Sequence, residues 1–121
     1  AARGGNVAQS QTKHSGSNTI DDIAWYWDNS DRTIHPVGQK QPNALGIYDI
    51  NGNVWERCYD WYGSYSSSET DPTGPSSGPG RVCRGGSWYD LAVFCRVSNR
   101  DFCNPFARDR SNGFRIVCSS K

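Results

Sequence analysis

Five cysteines and two histidines are the residues with the clearest chemical potential in this chain of 121 residues. The cysteines lie at positions 58, 83, 95, 103 and 118, and no two of them form a Cys-x-x-Cys pair. Because structural zinc sites take closely spaced cysteine and histidine ligands, this pattern does not indicate zinc. An odd count leaves at least one thiol outside any intrachain disulfide, and the other four allow three connectivities. The cysteine content is high for a cytosolic domain, which favours an oxidising compartment.

The composition describes one neutral domain with an aromatic core. Thirteen Lys and Arg residues balance 12 Asp and Glu, giving a formal net charge of +1, which argues against a nucleic-acid partner. Five Trp, six Tyr and four Phe supply the largest apolar side chains of a chain without Met, so rings must fill much of the core. No apolar run approaches the roughly 18 residues of a transmembrane helix, so we expect no membrane insertion by this chain.

Short strands between long loops are the elements that must position the cysteines, histidines and aromatic side chains. Residues 23–28 form an aromatic run that is too short for a helix and predicts a short strand or a buried loop. Asn51-Gly52 is a common dipeptide of tight type I′ turns. The period-two alternation of aromatics over residues 54–62 predicts a strand.

The C-terminal half repeats this organisation. Strands are expected at 81–84 and 113–118, and Gly85-Gly86 indicates a bulge or a close backbone approach. The stretch 89–112 shows nothing regular beyond 95–97, and the Gly-, Pro- and Ser-rich stretch 63–80 predicts an exposed loop. From these patterns alone we expect an α+β or mostly irregular domain.

Several fixed strings occur in one order along nearly the whole chain. They are Ala2–Gly5 (ARGG), Asn43–Glu56 (NALGIYDINGNVWE), Arg84–Trp88 (RGGSW), Cys95-Arg96 (CR) and Gly113–Arg115 (GFR). Together they resemble the sulfatase-modifying-factor (formylglycine-generating enzyme) family, whose domain is a variant of the C-type lectin fold. The resemblance implies an α+β, C-type-lectin-like fold with short strands and long irregular loops. It also implies that residues 1–121 are the C-terminal part of a single domain whose N-terminal part precedes them.

The enzymes of this family act through two cysteines that bind copper, since soft thiolates select Cu(I). Matching the Gly-Gly-Ser-aromatic string places those two positions at Asp90 and Cys95, so only one thiol is present. A carboxylate is not a soft ligand, and we therefore expect no catalysis and no catalytic cofactor. The alternative is an oxidase acting through Cys95, for which Cys103 is the nearest second thiol in sequence.

Residues 89–112 resemble another branch of the family, the variable proteins of diversity-generating retroelements, which present changeable side chains on a lectin-type scaffold. Chemically unrelated residues alternate there with a fixed skeleton. The skeleton is Ala92, Cys95, Arg96, Val97, Asn99, Arg100, Pro105 and Arg108. Each interspersed residue type is reachable from an Asn codon by changing only its adenines, as adenine-directed mutagenesis would produce.

The interspersed residues form the predicted ligand-contact surface, because exposed aromatics in irregular segments are typical of recognition surfaces. This candidate ligand surface comprises Tyr89, Asp90, Leu91, Val93, Phe94, Asp101, Phe102, Cys103, Phe106, Ala107, Asp109, Arg110 and Ser111. The alternative is that Val93, Phe94, Phe102 and Phe106 are core side chains.

Cys103 falls on a variable position, so we expect it to be the unpaired thiol. The other four cysteines fall on framework positions, and the alternative is that all five are buried thiols. Five arginines among aromatics are expected to hold loops in place by stacking and pairing. They are Arg84, Arg96, Arg100, Arg108 and Arg115.

The resemblance also implies a structural calcium site. Asp49, Gly52, Val54 and Glu56 match the calcium-binding loop of the family, in which carboxylate and carbonyl oxygens alternate. Such an ion would brace the fold rather than catalyse. Without the family, this string would be an ordinary hairpin turn with a solvated glutamate.

By resemblance, the protein is expected to be displayed on a cell surface or otherwise extracellular and to bind a protein or a glycan. A missing N-terminal part of the same protein is the other expected partner. Two alternatives stay open. One is the oxidase acting through Cys95, and the other is a structural module of a larger surface protein without diversification.

Overall fold

The computed structural model of the protein describes residues 1–7, 10–65 and 74–118. In this part of the chain, short strands and single-turn 3-10 helices are joined by long irregular loops. The helices are η1 (Gly5–Val7), η2 (Ile20–Asp22) and η3 (Ala92–Cys95). The strands are β1 (Ala24–Trp25), β2 (Asn51–Gly52), β3 (Trp55–Trp61), β4 (Arg81–Arg84), β5 (Asp101–Cys103) and β6 (Asn112–Gly113).

The smaller sheet pairs β1 with β2 in parallel, and Ala24 lies opposite Asn51. The prediction of a turn centred on Asn51-Gly52 is therefore wrong, because these residues pair as a strand. Positive φ angles occur at Gly52 (72°) and Asn53 (61°), one residue later than predicted. A side chain at Gly52 would overlap the carbonyl oxygen of Trp25, so the close approach of the two strands requires glycine.

The larger sheet has the order β5-β4-β3-β6. β3 pairs with β4 and β4 with β5 in antiparallel fashion, whereas β6 runs parallel to β3. The predicted strands at 54–62 and 81–84 are confirmed as β3 and β4. The predicted final strand at 113–118 is wrong in extent, because strand pairing there is limited to β6. Neither η3 nor β5 was expected within 89–112.

The apolar core is small. It is formed by buried side chains of the two sheets and of η3. Ile23, Ala24, Val82 and Cys83 are almost wholly buried, and Trp55 is the tryptophan that is most buried. The other tryptophans are only half-buried. Three of them lie under cations instead: Lys40 over Trp25, Arg32 over Trp27 and Arg81 over Trp61.

Buried asparagines complete the core, which explains the fixed string around them. The side chain of Asn51 accepts a hydrogen bond from the Ser15 amide at 2.6 Å and donates one to the Cys95 carbonyl at 2.5 Å. Asn53 makes two hydrogen bonds with the backbone of His35, both at 3.0 Å. Because buried polar groups need partners, these amides fix the loops that they cross-link.

Candidate ligand surface

Both ends of the segment 89–112 are held by one residue of β3. The backbone amide of Trp55 donates to the Ser111 carbonyl at 2.7 Å, and its indole Nε1 donates to Oδ2 of Asp90 at 2.8 Å. Trp55 is 9% exposed. The segment therefore leaves and returns to the sheet at a buried, well-defined position.

Asp90 positions the segment in the structure, while its contact with a ligand stays a prediction. Its Oδ2 accepts hydrogen bonds from the Ser87 amide at 3.0 Å and from the Ser87 hydroxyl, in addition to the one from Trp55. The residue is half-buried. This oxygen is used within the protein, because it accepts hydrogen bonds from three donors.

The helix η3 presents apolar side chains outward while Cys95 points inward. Cys95 is fully buried, and its carbonyl also accepts a hydrogen bond from Nδ1 of His14 at 3.1 Å. A Cβ atom on Gly86 would lie 2.7 Å from the Cys95 sulfur, so the predicted close approach at Gly85-Gly86 is confirmed. Leu91 and Val93 flank this anchor and are more than half exposed.

A disulfide between Cys83 and Cys103 fixes β5 to β4. The prediction that Cys103 is the unpaired thiol is therefore wrong, because β5 pairs beside β4 and brings the two sulfurs together. Asp101 on the same strand is exposed. Phe102 is 49% exposed, and its ring contacts that of Tyr62 with centroids 5.4 Å apart.

Arg57 binds the last loop of the segment 89–112, a role that the sequence did not predict. Its guanidinium donates to the Pro105 carbonyl at 3.1 Å and to the Ala107 carbonyl at 2.5 Å. Phe106, between these two anchor points, is 91% exposed. The hydroxyl and amide of Ser111 donate to Asp109 and lower the pKa of its carboxyl group.

Most of the candidate ligand surface is accessible. Ten of its thirteen residues are exposed, and Asp90, Cys103 and Ser111 are half-buried. The skeleton residues are buried or half-buried except for Arg96 and Arg108. The alternative that Val93, Phe94, Phe102 and Phe106 fill the core is wrong for the structure, since each is at least 39% exposed.

Trp27 joins the surface from outside the segment, although the sequence placed it in the core. The Trp27 amide donates to the Asp90 carbonyl at 2.9 Å, and its ring lies edge-on to that of Tyr89 at 4.9 Å. Trp88 contacts the other side of Tyr89 at 5.2 Å. Tyr89, the first residue of the segment, therefore contacts the rings of Trp27 and Trp88 and is still 57% exposed.

Two of the five arginines expected to hold loops, Arg84 and Arg100, act structurally. Arg84 donates to the Asn99 carbonyl at 2.9 Å. Arg100 lies over the rings of Tyr62 and Tyr65, with its guanidinium carbon 4.6 and 4.1 Å from their centroids. Hydrogen bonds from Arg100 and Arg84 lower the pKa of the Tyr65 hydroxyl. The base of the segment is therefore tied to the sheet by planar, always charged groups.

Two of the four residues expected to bind calcium, Asp49 and Glu56, contact the guanidinium of Arg115. Nη2 of Arg115 donates to the Tyr48 carbonyl at 2.9 Å, to the Asp49 carbonyl at 3.2 Å and to Oε1 of Glu56 at 2.5 Å. Oδ2 of Asp49 accepts instead from the Gly38 amide at 2.7 Å. Since a cation already uses these oxygens, the donor set does not fit an additional Ca²⁺.

Cys95 has no environment for reactive thiolate chemistry. Burial raises the pKa of its thiol to about 12, so the thiolate that would bind a metal or attack a substrate is strongly disfavoured. The expected second thiol, Cys103, is in the disulfide with Cys83. Within the described residues there is no cluster of three His, Cys, Asp or Glu side chains suited to a metal ion.

A further structural finding concerns membranes. Among the helices of residues 1–7, 10–65 and 74–118, none is long and apolar enough to span a bilayer.

Comparison with known families accounts for this architecture. The family described as the sulfatase-modifying factor enzyme 1-like domain matches residues 1–120. The chain belongs to this family. The solved structure of Treponema denticola variable protein 1 matches with a TM-score of 0.84 at 42% identity, over 93% of this chain and 41% of that one. The resemblance and the α+β, C-type-lectin-like fold predicted from the sequence are confirmed.

Family members with other names match as well. The chain is 35% identical over 136 residues to chaperone protein LppX of Paenibacillus barcinonensis, covering 98% of this chain and 45% of that protein. It is 41% identical over 88 residues to the formylglycine-generating enzyme of Streptomyces coelicolor, covering 68% of this chain and 28% of that enzyme. The chain spans less than half the length of each of these relatives.

Proposed function

We propose that the protein is a binding module that displays the exposed side chains of residues 89–112 as a diversified ligand-contact surface, in the manner of a retroelement variable protein. The observation that carries this proposal is the separation of roles within the segment. Most interspersed side chains are accessible, whereas most of the skeleton is buried or half-buried. The structural similarity to Treponema denticola variable protein 1 supports it.

The chemistry of the surface suits a protein or glycan ligand. Tyr89, Phe94, Phe102 and Phe106 offer broad, stiff contact areas that lose little conformational entropy on binding. Neighbouring charged groups, such as the exposed Arg110, would add orientation and selectivity. An irregular segment fixed at several points to a rigid sheet is well suited to such variation.

The proposed role is non-catalytic and extracellular or at the cell surface, without a catalytic cofactor. Cys95, which would carry the chemistry of an oxidase, is fully buried, and burial raises the pKa of its thiol to about 12. The disulfide between Cys83 and Cys103 favours an oxidising compartment. We propose no structural calcium, since Arg115 uses oxygens of two expected ligands, Asp49 and Glu56.

A test of the proposal exchanges the accessible residues as a set. The variant replaces Tyr89, Leu91, Val93, Phe94, Phe102 and Phe106 by Ser. We expect a melting temperature within roughly 4 °C of the wild type, since exposed positions carry little folding energy. A matched variant carrying Trp55→Ser and Val82→Ser, both buried, should unfold. Loss of folding in the first variant would show that these side chains build the core.

Binding is then tested on arrays of purified surface proteins and defined glycans. Phe106→Ser and Tyr89→Ser should each weaken any hit by roughly tenfold or more, as expected for aromatic anchors. Tyr59→Ser is the matched control, because Tyr59 is 85% exposed on β3 outside the segment. A hit that depends on Tyr59 and ignores Phe106 and Tyr89 contradicts the assignment. A reverse-transcriptase gene beside a near-copy of the coding stretch for 89–112, differing at adenines, would support diversification.

A further inference from the structure

The disulfide between Cys83 and Cys103 joins a framework position to an interspersed one. Cys83 lies on β4, outside the segment 89–112, and is fully buried. Cys103 lies on β5 within the candidate ligand surface and is half-buried. Its side chain is the one member of that surface that is bonded covalently to the rest of the fold. The crosslink therefore depends on a residue that the proposed diversification would change.

Position 103 can gain or lose its cysteine by the same route as the other interspersed residues. Changing both adenines of the Asn codons AAC and AAT to T and G gives TGC and TGT, which are the Cys codons. Cys83 precedes the segment, so it would stay when position 103 changes. A version of the protein with another residue at 103 would then keep a lone buried thiol at position 83 and lack the crosslink.

The backbone around Cys103 has anchors that do not need the disulfide. β5 pairs with β4 through three residue pairs. After β5, the guanidinium of Arg57 donates to the carbonyls of Pro105 and Ala107. An asparagine amide at 103 could donate to Oδ1 of Asn112, because that oxygen lies 3.4 Å from the Cys103 sulfur. The segment can therefore keep its path without the crosslink, as variation at this position requires.

The crosslink restricts the part of the candidate ligand surface that β5 carries. β5 is the outer strand of the larger sheet, and β4 is its only neighbour among the described strands. Asp101 and Phe102 on β5 are exposed. A short outer strand can open without the rest of its sheet, and a covalent bond at its end restricts that opening. A contact surface that is fixed before binding loses less conformational entropy on binding.

We propose that the Cys83–Cys103 disulfide is specific to this version of the protein, was acquired by diversification of position 103, and preorganises Asp101 and Phe102 for ligand contact. This inference rests on the proposed function. Versions with another residue at 103 present the same backbone path on a β5 that opens more often. Diversification thus changes the stiffness of the ligand surface as well as its chemistry.

Amide hydrogen exchange of the whole polypeptide encoded by the gene tests the effect on β5. Cys103→Asn removes the crosslink and introduces the residue of the undiversified codon. The ratio of the β5 exchange rate to the β3 exchange rate should rise roughly tenfold over its wild-type value, because β5 then opens by itself. Taking the ratio removes any general loss of stability, which would speed exchange in both strands.

Asp101→Asn is the matched control, because it introduces the same residue on the same strand and leaves the disulfide intact. Its ratio should equal that of the wild type. A ratio that Cys103→Asn does not raise, or that Asp101→Asn raises equally, would overturn the preorganising role while the ligand surface itself could still bind.

The near-copy of the coding stretch for 89–112 tests the origin of the crosslink. At position 103 it should carry a codon that differs from the Cys codon of the gene only at adenines, such as AAC. A near-copy that already encodes Cys there would overturn this inference and leave the proposed function intact. A gene without any near-copy would instead overturn diversification itself, and the acquired crosslink with it.

Discussion

The indole of Trp55 and the carboxylate of Asp90 are hydrogen-bonded at 2.8 Å across a sequence separation of 35 residues. The amide of the same tryptophan holds Ser111. A single buried residue of β3 thus anchors both ends of the segment whose side chains form the candidate ligand surface. This arrangement lets the exposed residues change while the path of the backbone stays fixed.

Removing the carboxylate should therefore destabilise the fold. Asp90→Ala leaves the Trp55 indole and two Ser87 donors without their shared acceptor, and we expect the free energy of unfolding to fall by about 2 kcal/mol. Urea denaturation followed by tryptophan fluorescence measures the change. Asp101→Ala, at an exposed position of β5, is the control and should stay within roughly 0.5 kcal/mol of the wild type. Equal effects would refute the anchoring role.

The disulfide gives a second prediction. Replacing both Cys83 and Cys103 by Ser removes a crosslink with a sequence separation of 20 residues and should lower the free energy of unfolding by about 3 kcal/mol. β5 should then exchange its amides faster than β4, because it is the outer strand of the pair. Cys58→Ser tests for a general effect of cysteine loss, since Cys58 lies outside the disulfide. If the double variant were as stable as Cys58→Ser, the crosslink would not hold β5.

The sequence predicted β3 and β4 because both signals are local. Aromatic residues alternate along β3, and the apolar pair Val82-Cys83 of β4 is followed by Gly85-Gly86. The sequence did not predict β5. Asp101 and Cys103 show no strand pattern in the sequence, and they form a strand because they pair with β4. Arg57 was missed for a related reason. Its partners are backbone carbonyls almost 50 residues away. Because every residue has such a carbonyl, the sequence gives no sign of this contact.

Accessibility within 89–112 was predictable from the alternation of skeleton and interspersed residues, whereas the inward carboxylate of Asp90 was not. Its position counts as interspersed, but three donors from Ser87 and Trp55 meet it in space. The arginine beside the residues expected to bind calcium was not predictable either. Arg115 lies 59 residues beyond Glu56, and only the fold brings its charge among the oxygens.

Two glycines with similar backbone angles should respond differently to alanine. Gly86 (φ 73°) would place a Cβ 2.7 Å from the Cys95 sulfur, whereas Gly38 (φ 77°) has no atom within 4 Å of that position. Both substitutions carry a left-handed strain of roughly 1 kcal/mol. We expect Gly86→Ala to lose about 3 kcal/mol in total, because overpacking adds to the strain. Chemical denaturation of both variants measures the difference, and similar losses would contradict the tight approach at Cys95.

Calcium should add little stability to the wild type. Arg115 already supplies the positive charge for Glu56 and the Asp49 carbonyl, and the pairing raises the pKa of Arg115. We expect the melting temperature in millimolar calcium to differ from that in magnesium by less than roughly 1 °C. Arg115→Gln removes the guanidinium and should make any calcium response larger. A wild-type response that exceeds that of Arg115→Gln would restore the calcium site.

Alkaline pH should destabilise the protein through Cys95 and Tyr26. Burial raises the pKa of Cys95 from 9.0 to about 12, and burial with a hydrogen bond to Asp21 raises that of Tyr26 from 10.0 to about 12. The folded state therefore keeps protons that the unfolded state releases, so stability is complete below pH 9 and falls as the pH rises toward 12. Denaturation at a series of pH values should show this decline beginning near pH 9. Cys95→Ala should make the decline that begins near pH 9 smaller, because only Cys58, whose pKa burial also raises, and Tyr26 then contribute to it. Tyr59→Phe, at an exposed position, should leave the curve unchanged, and a curve that Cys95→Ala does not alter would contradict the buried, protonated thiol.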